Sequence, residues 1–177
     1  MRGVERYHSK MRASRALGLV VLFVVAVAAA WWYIGHRAPA VGDTIAVYYT
    51  KADGVTLVPW RVTLGPARDR TSVAFYAATQ CIAGPPPGTE AVRFPAATRV
   101  LTVNVAGGHA TVDLSHEVAG SAGGSFTESA EFKALVWTLT QPALGITSVD
   151  VRIDGARVAT LPGGHLELDD PLTRASF

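Results

Sequence analysis

Ser115, His116 and Glu117 stand side by side and supply the three residue types of a hydrolytic triad. Adjacent residues of an extended segment point to opposite sides and cannot converge on one atom. No Gly-x-Ser-x-Gly turn surrounds any serine, so the run does not read as a nucleophile with its base. The five histidines, His8, His36, His109, His116 and His165, are scattered, and no cysteine or carboxylate stands at metal-ligand spacing from them. Glu167, Asp169 and Asp170 offer hard oxygens of the kind calcium takes, but without EF-hand spacing they read as a solvated acidic tail. Gly120 to Gly124 lacks the Gly-Lys-Ser/Thr ending of a phosphate loop. Cys81 is the only cysteine; it excludes an internal disulfide and lies on an apolar stripe, as a small buried hydrophobe would. The expectation is a chain with no catalytic residues, no metal and no cofactor.

The residues that remain for binding are aromatic or sit at a strand end. Tyr48 and Trp60 fall in two consecutive strand-like segments, where a ring can contact a partner or line a cleft with Tyr76. Asp113 and Ser115 close another strand next to the glycine-rich run Ser115 to Ser125, which reads as a mobile loop. Their side chains suit either a hydrogen-bonded strand end or a ligand contact.

The elements that must position these side chains follow from periodicity. Ile45, Val47 and Tyr49 alternate with polar or small residues, Ala52-Asp53-Gly54 turns the chain, and Val58, Trp60, Val62 and Leu64 return on one face. Pro59 within the second segment demands a sheet edge or a bulge. Arg70 to Ala83 changes to helical period, with Asp69 or Thr71 as its cap and Gly84-Pro85 as its stop. A second hairpin turns at Gly107-Gly108. A helix from Phe126 to Thr140 carries Phe132, Leu135, Val136 and Leu139 on one face, and Val149, Val151 and Ile153 lead into an Asp154-Gly155 turn and a short strand near Arg157 to Thr160. The order β-β-α-β-β-α-β-β with alternating strands predicts an α+β fold: one mostly antiparallel or mixed sheet covered on one face by two helices.

Ahead of this stands an uncharged run from Ala16 to Ile34, flanked by Arg2, Arg6, Lys10, Arg12 and Arg15 against one acid, Glu5. That predicts a cytoplasmic tail over residues 1–15, a transmembrane helix over 16–34 with its N-terminus inside, a linker over 35–42 and an extracytoplasmic domain over 43–177. Trp31, Trp32 and Tyr33 suit the headgroup layer. Ala28 to Ala30 and Ala38 to Ala40 keep open the alternative of a removable signal peptide. The chain is 49% hydrophobic and 17% charged, which suits one domain with a real core. From Asp43 onward ten basic residues face thirteen acidic ones, a formal net charge of −3, which argues against nucleic acid as a partner.

Seven joints in this order carry a family likeness: Val58-Pro59-Trp60-Arg61, Gly84-Pro85, Pro95, Val112 to Ser115, Thr138 to Thr140, Val149 to Gly155, and Pro171 to Arg174. Together they resemble the GerMN domain of bacterial sporulation and spore-germination proteins. The resemblance implies an envelope module similar in fold to the small ring-building modules of secretion assemblies, acting by scaffolding or binding, with no catalytic residues to carry across. The expected function is therefore a membrane-tethered protein-interaction module at the bacterial cytoplasmic membrane with an envelope protein partner. The alternative is a peptidoglycan- or small-ligand-binding domain accessory to cell-wall enzymes.

Overall fold

The computed structural model describes residues 20–33, 42–66, 69–120, 124–161 and 164–177. The chain divides into two units, Met1–Arg37 and Ala38–Phe177. In the first, α1 covers residues 20–33, and its large apolar side chains are exposed. Among the described residues no helix is long and apolar enough to cross a membrane. Fourteen residues of helix rise about 21 Å, short of about 30 Å of hydrocarbon. The transmembrane helix expected over 16–34 is therefore not shown: its residues 16–19 and 34, like the tail over 1–15 and all but the last residue of the linker over 35–42, lie outside the described residues.

In the second unit, β1 (Thr44–Thr50) and β2 (Leu57–Thr63) form an antiparallel hairpin, followed by α2 (Arg70–Ala83). Asp69 Oδ1 accepts the Ser72 N–H at 2.9 Å and Gly84 ends the helix at φ 85°, so the sequence limits of α2 hold. Next come β3 (Val100–Ala106), β4 (His109–Leu114), α3 (Gly124–Leu139), β5 (Ser148–Ile153) and β6 (Ala156–Arg157).

The expected single sheet is in fact two. β1–β2 is one sheet, and β3-β4-β5-β6 is the other, antiparallel except for the parallel β4/β5 pair that α3 connects. Alternation in a strand reveals its buried face and says nothing about its neighbour. What separates β1 from the larger sheet is the end of α3 and the residues just after it, whose side chains occupy the β1 edge. Tyr48 N–H donates to Thr138 Oγ1 (2.9 Å), Ala46 N–H donates to Gln141 Oε1 (3.3 Å), and Gln141 Nε2 donates back to the Ala46 carbonyl (2.9 Å). Polar side chains thereby satisfy backbone groups that another strand would otherwise take.

Helices α2 and α3 pack on each other, α2 against β1 and β3, α3 against β1 and β5. Val73, Ala74, Ala77 and Ala78 let α2 approach closely. Phe132, Leu135, Val136 and Leu139 of α3 are fully buried in one core cluster with Ala110, Val112, Leu114 and Val149, and Phe132 meets Phe94 edge-to-face at 5.8 Å. The larger sheet keeps its other face partly open, with His109 and Arg152 exposed.

Two further expectations change. The run after Ser115 is partly ordered as a 3-10 turn, His116–Gly120, because Val118 is buried in the core; residues 121–123 lie outside the described residues. The last strand shrinks to Ala156–Arg157, since Leu172 takes the next antiparallel contact on β5, with Val149.

Candidate functional site

A concave feature lies at the turn end of the β1–β2 hairpin, a cavity of about 450 Å³. Val47 pairs across with Trp60, and Tyr49 with Val58, so the four side chains share one face of the hairpin. Both helices pack on β1 rather than on β2, and Trp60 is left 47% exposed in the cavity wall. Tyr49 forms the floor at 5% exposure. Its hydroxyl donates to the Gln80 carbonyl at 3.3 Å, and burial raises its pKa to about 12, so the ring is held neutral and fixed. Pro85 and Ala91 close the far side. The strap bearing Ala91 is tied to β1 by the Val92 N–H, which donates to the Thr50 carbonyl at 2.8 Å.

The rim is polar. Lys51, Asp53, Thr89 and Glu90 reach it. Asp53 is committed to the hairpin turn: it accepts the Thr56 hydroxyl (2.6 Å) and the Thr56 and Val55 N–H groups (2.8 and 2.9 Å), bonds that bring its pKa down to about 2. An apolar floor and wall with charged and hydroxyl groups at the mouth suit a ligand with one apolar face and polar edges.

A second surface is a strand edge. β3 is the outermost strand of its sheet, and its register with β4 is continuous from Thr102 to Ala106 after a shift between Val100 and Thr102. Its sequence, Val-Leu-Thr-Val-Asn-Val-Ala, has no charge and no proline, and no strand pairs with its outer side among the described residues. Beside it Phe75 of α2 and Leu101, each 40% exposed, flank a shallow groove of about 350 Å³.

The family described as sporulation and spore germination, the GerMN family, matches residues 46–159, well over half of the chain. This chain belongs to that family. Its fold is similar to the first GerMN domain of the sporulation protein GerM from Bacillus subtilis, with TM-score 0.60 and 27% identity over 75% of this chain and 98% of that one. The tandem GerMN domains of the same protein match with TM-score 0.61 and 26% identity over 76% of this chain, which spans 47% of the tandem pair. A putative lipoprotein from Clostridium perfringens, 19% identical over 75% of this chain and 87% of that one, shares the fold at TM-score 0.55. Among curated proteins no match is found.

In this GerMN domain the four sequence-derived binding candidates do not converge. Trp60 lines the cleft. Tyr48 pairs with Pro59 on the other face of the hairpin, with its backbone tied to α3. Asp113 Oδ1 accepts the Gly155 N–H at 2.8 Å, pinning the β5–β6 turn, where Asp154 and Gly155 both have positive φ. Ser115 is buried and accepts the Arg99 N–H through its hydroxyl at 3.0 Å, while its own N–H donates to the Arg99 carbonyl. In the triad-like run Ser115 and His116 both approach Glu117, with His116 Nε2 3.8 Å from Glu117 Oε1, but they do so separately: the Ser115 hydroxyl accepts from Arg99 and His116 turns its other nitrogen to Asp154. His116 Nδ1 lies 3.1 Å from Asp154 Oδ2, and Glu117 is held below its ordinary pKa chiefly by the Ser115 hydroxyl. Among the described residues no three His, Cys, Asp or Glu side chains group as metal ligands. Cys81 is buried, its Sγ 3.6 Å from the Tyr48 carbonyl, and desolvation drives its pKa up to about 12.

Two residues escaped sequence reasoning. Glu128 and Glu131, 3% and 2% exposed, sit on the buried stripe of α3. Glu128 Oε2 accepts the His165 N–H at 2.9 Å and packs so closely on Gly164 that an added Cβ would lie 2.5 Å from Oε1. The signal was present, since Glu128 precedes Phe132 and Glu131 precedes Leu135 by four residues.

Proposed function

We propose that this GerMN domain is a non-catalytic, membrane-tethered interaction module of the bacterial cell envelope, docking a protein partner along β3. The observation that carries the reading is the β3 edge: a run from Thr102 to Ala106 without charge or proline, open on its outer side among the described residues. An added strand takes affinity from main-chain hydrogen bonds, and alternate side chains can settle in the groove beside Phe75 and Leu101. The tether is α1, whose exposed apolar surface is disposed of in lipid, with the basic flank of residues 1–15 holding the N-terminus in the cytoplasm.

Photo-crosslinking in native cells tests the docking edge. A photoreactive residue at Asn104 is expected to yield a discrete protein adduct, and one at Arg61 on β2 is not. Adducts from Arg61 alone would move the interface to the other sheet, and none from either would refute docking at sheet edges. A reporter active only outside the cytoplasm, fused after Phe177, is expected to be active; an inactive fusion would overturn the topology.

A further inference from the structure

The β3 edge leaves the Trp60 cleft without a task, and the two surfaces belong to different sheets. We infer that the cleft is a binding site for a β-1,4-linked pyranose segment of a glycan, with one sugar ring stacked on Trp60. The ring's axial C–H groups make a flat, slightly positive apolar face that complements the negative face of an indole, while its equatorial hydroxyls point outward to polar partners. The cleft has this division. Trp60 supplies the exposed aromatic face, Tyr49 and Pro85 the apolar floor and far wall, and Lys51, Thr89 and Glu90 the donors and acceptors at the mouth. The volume of about 450 Å³ is in the range of small-ligand sites and suits one or two sugar rings.

Competing ligands fit less well. Phosphate-bearing chains are opposed by Asp53, kept ionised by its turn hydrogen bonds, and by Glu90, two carboxylates against the single ammonium of Lys51. A proline-rich peptide needs successive exposed aromatic ridges. Here Tyr49 is sunk and its hydroxyl engaged, so a single exposed ring remains in the lining. The strand that carries the stacking platform is fixed by its pairing with β1, where Trp60 lies opposite fully buried Val47. The inference stands apart from docking at β3, and failure of either leaves the other intact.

The test is titration of the full chain in detergent micelles with two probes, the β-1,4-linked tetramers of N-acetylglucosamine and of glucose, read by the Trp60 indole N–H resonance with Trp137 as internal control. A saturable shift at Trp60 and none at Trp137 is expected with at least one probe. A response to the acetylated probe alone assigns the site to amino-sugar glycans such as those of the cell wall; a response to both assigns it to the pyranose face itself. Trp60→Ala, followed by the amide resonances of Tyr49 and Thr89, is expected to weaken binding about tenfold or more, with Trp60→Phe retaining most of it. Glu90→Gln, which leaves the apolar wall intact, is expected to weaken it by a smaller factor. Binding unchanged in a folded Trp60→Ala, no shift with either sugar up to about 10 mM, or a Trp60 shift produced only by a proline decapeptide would each overturn the inference.

Discussion

The two sheets treat their edges in opposite ways. In the small sheet, β1 is sealed by Thr138 of α3 and by Gln141 just beyond it, while β2 carries Pro59 opposite Tyr48. The Tyr48 and Ala46 backbone groups face α3, so in an antiparallel pair those of Pro59 and Arg61 face outward from β2. An edge that presents a proline without an N–H and a charged arginine repels strand addition. The β3 edge of the large sheet has neither device. The difference teaches that β2 is built to stay exposed without pairing, which frees its face for the Trp60 cleft, whereas β3 remains competent to pair.

The strongest way to break this comparison is to remove the core the two sheets share. Leu135 is fully buried on α3 between them, so Leu135→Ala is expected to cost about 2–5 kcal/mol and to loosen both sheets in one urea transition. A loss below about 0.5 kcal/mol would mean that α3 does not hold them together.

Next in size is the seal on β1. Thr138→Val leaves the Tyr48 N–H without its acceptor and is expected to cost about 1–3 kcal/mol, with hydrogen exchange at Tyr48 accelerated more than at Val112. Equal acceleration at both sites would mean that the seal is not local.

The edges themselves are probed by exchanging their devices. Asn104→Lys places on β3 the kind of charge that β2 carries; with the photoreactive residue moved to exposed Thr102, it is expected to cut crosslinked partner about tenfold while stability changes by less than about 0.5 kcal/mol. Pro59→Val does the reverse for β2 and is expected to raise self-association in sedimentation velocity. A variant as monomeric as the parent would show that Pro59 is not what protects that edge.

The smallest effect concerns pH. Cys81 and Tyr49 are both pushed up to about 12, chiefly by burial. The folded domain therefore keeps protons that the unfolded chain releases above the ordinary thiol value of 9.0. The sign follows: this contribution is full below pH 9, and stability falls as pH rises from there toward 12. Melting temperature against pH should show that decline, and Cys81→Ala should flatten its thiol part. A melting temperature steady through that window would contradict the burial of both groups.

Local chemistry made much of the fold legible in the sequence. Asp69 and Gly84-Pro85 bounded α2 because a cap and a stop act on their own turn, and the period-2 runs located β1 to β5 because side-chain direction is a property of a single strand. Trp60 was identified as a binding candidate on its aromatic type alone. Tyr48 was named with it, although the residue that completes the floor is Tyr49, one position along and facing the opposite way.

By itself, then, the sequence determined the elements from β1 to β5, the limits of α2, the buried stripe of α3 and the family. Only the tertiary structure decided that the strands divide into two sheets, that Thr138 and Gln141 close β1, that Glu128 and Glu131 are buried, and that Pro85 and Ala91 come to face Trp60. The reason is physical. Caps, turns and periodicity are fixed by interactions within a few residues, whereas strand partners, buried carboxylates and cleft walls are set by competition among contacts between segments tens of residues apart.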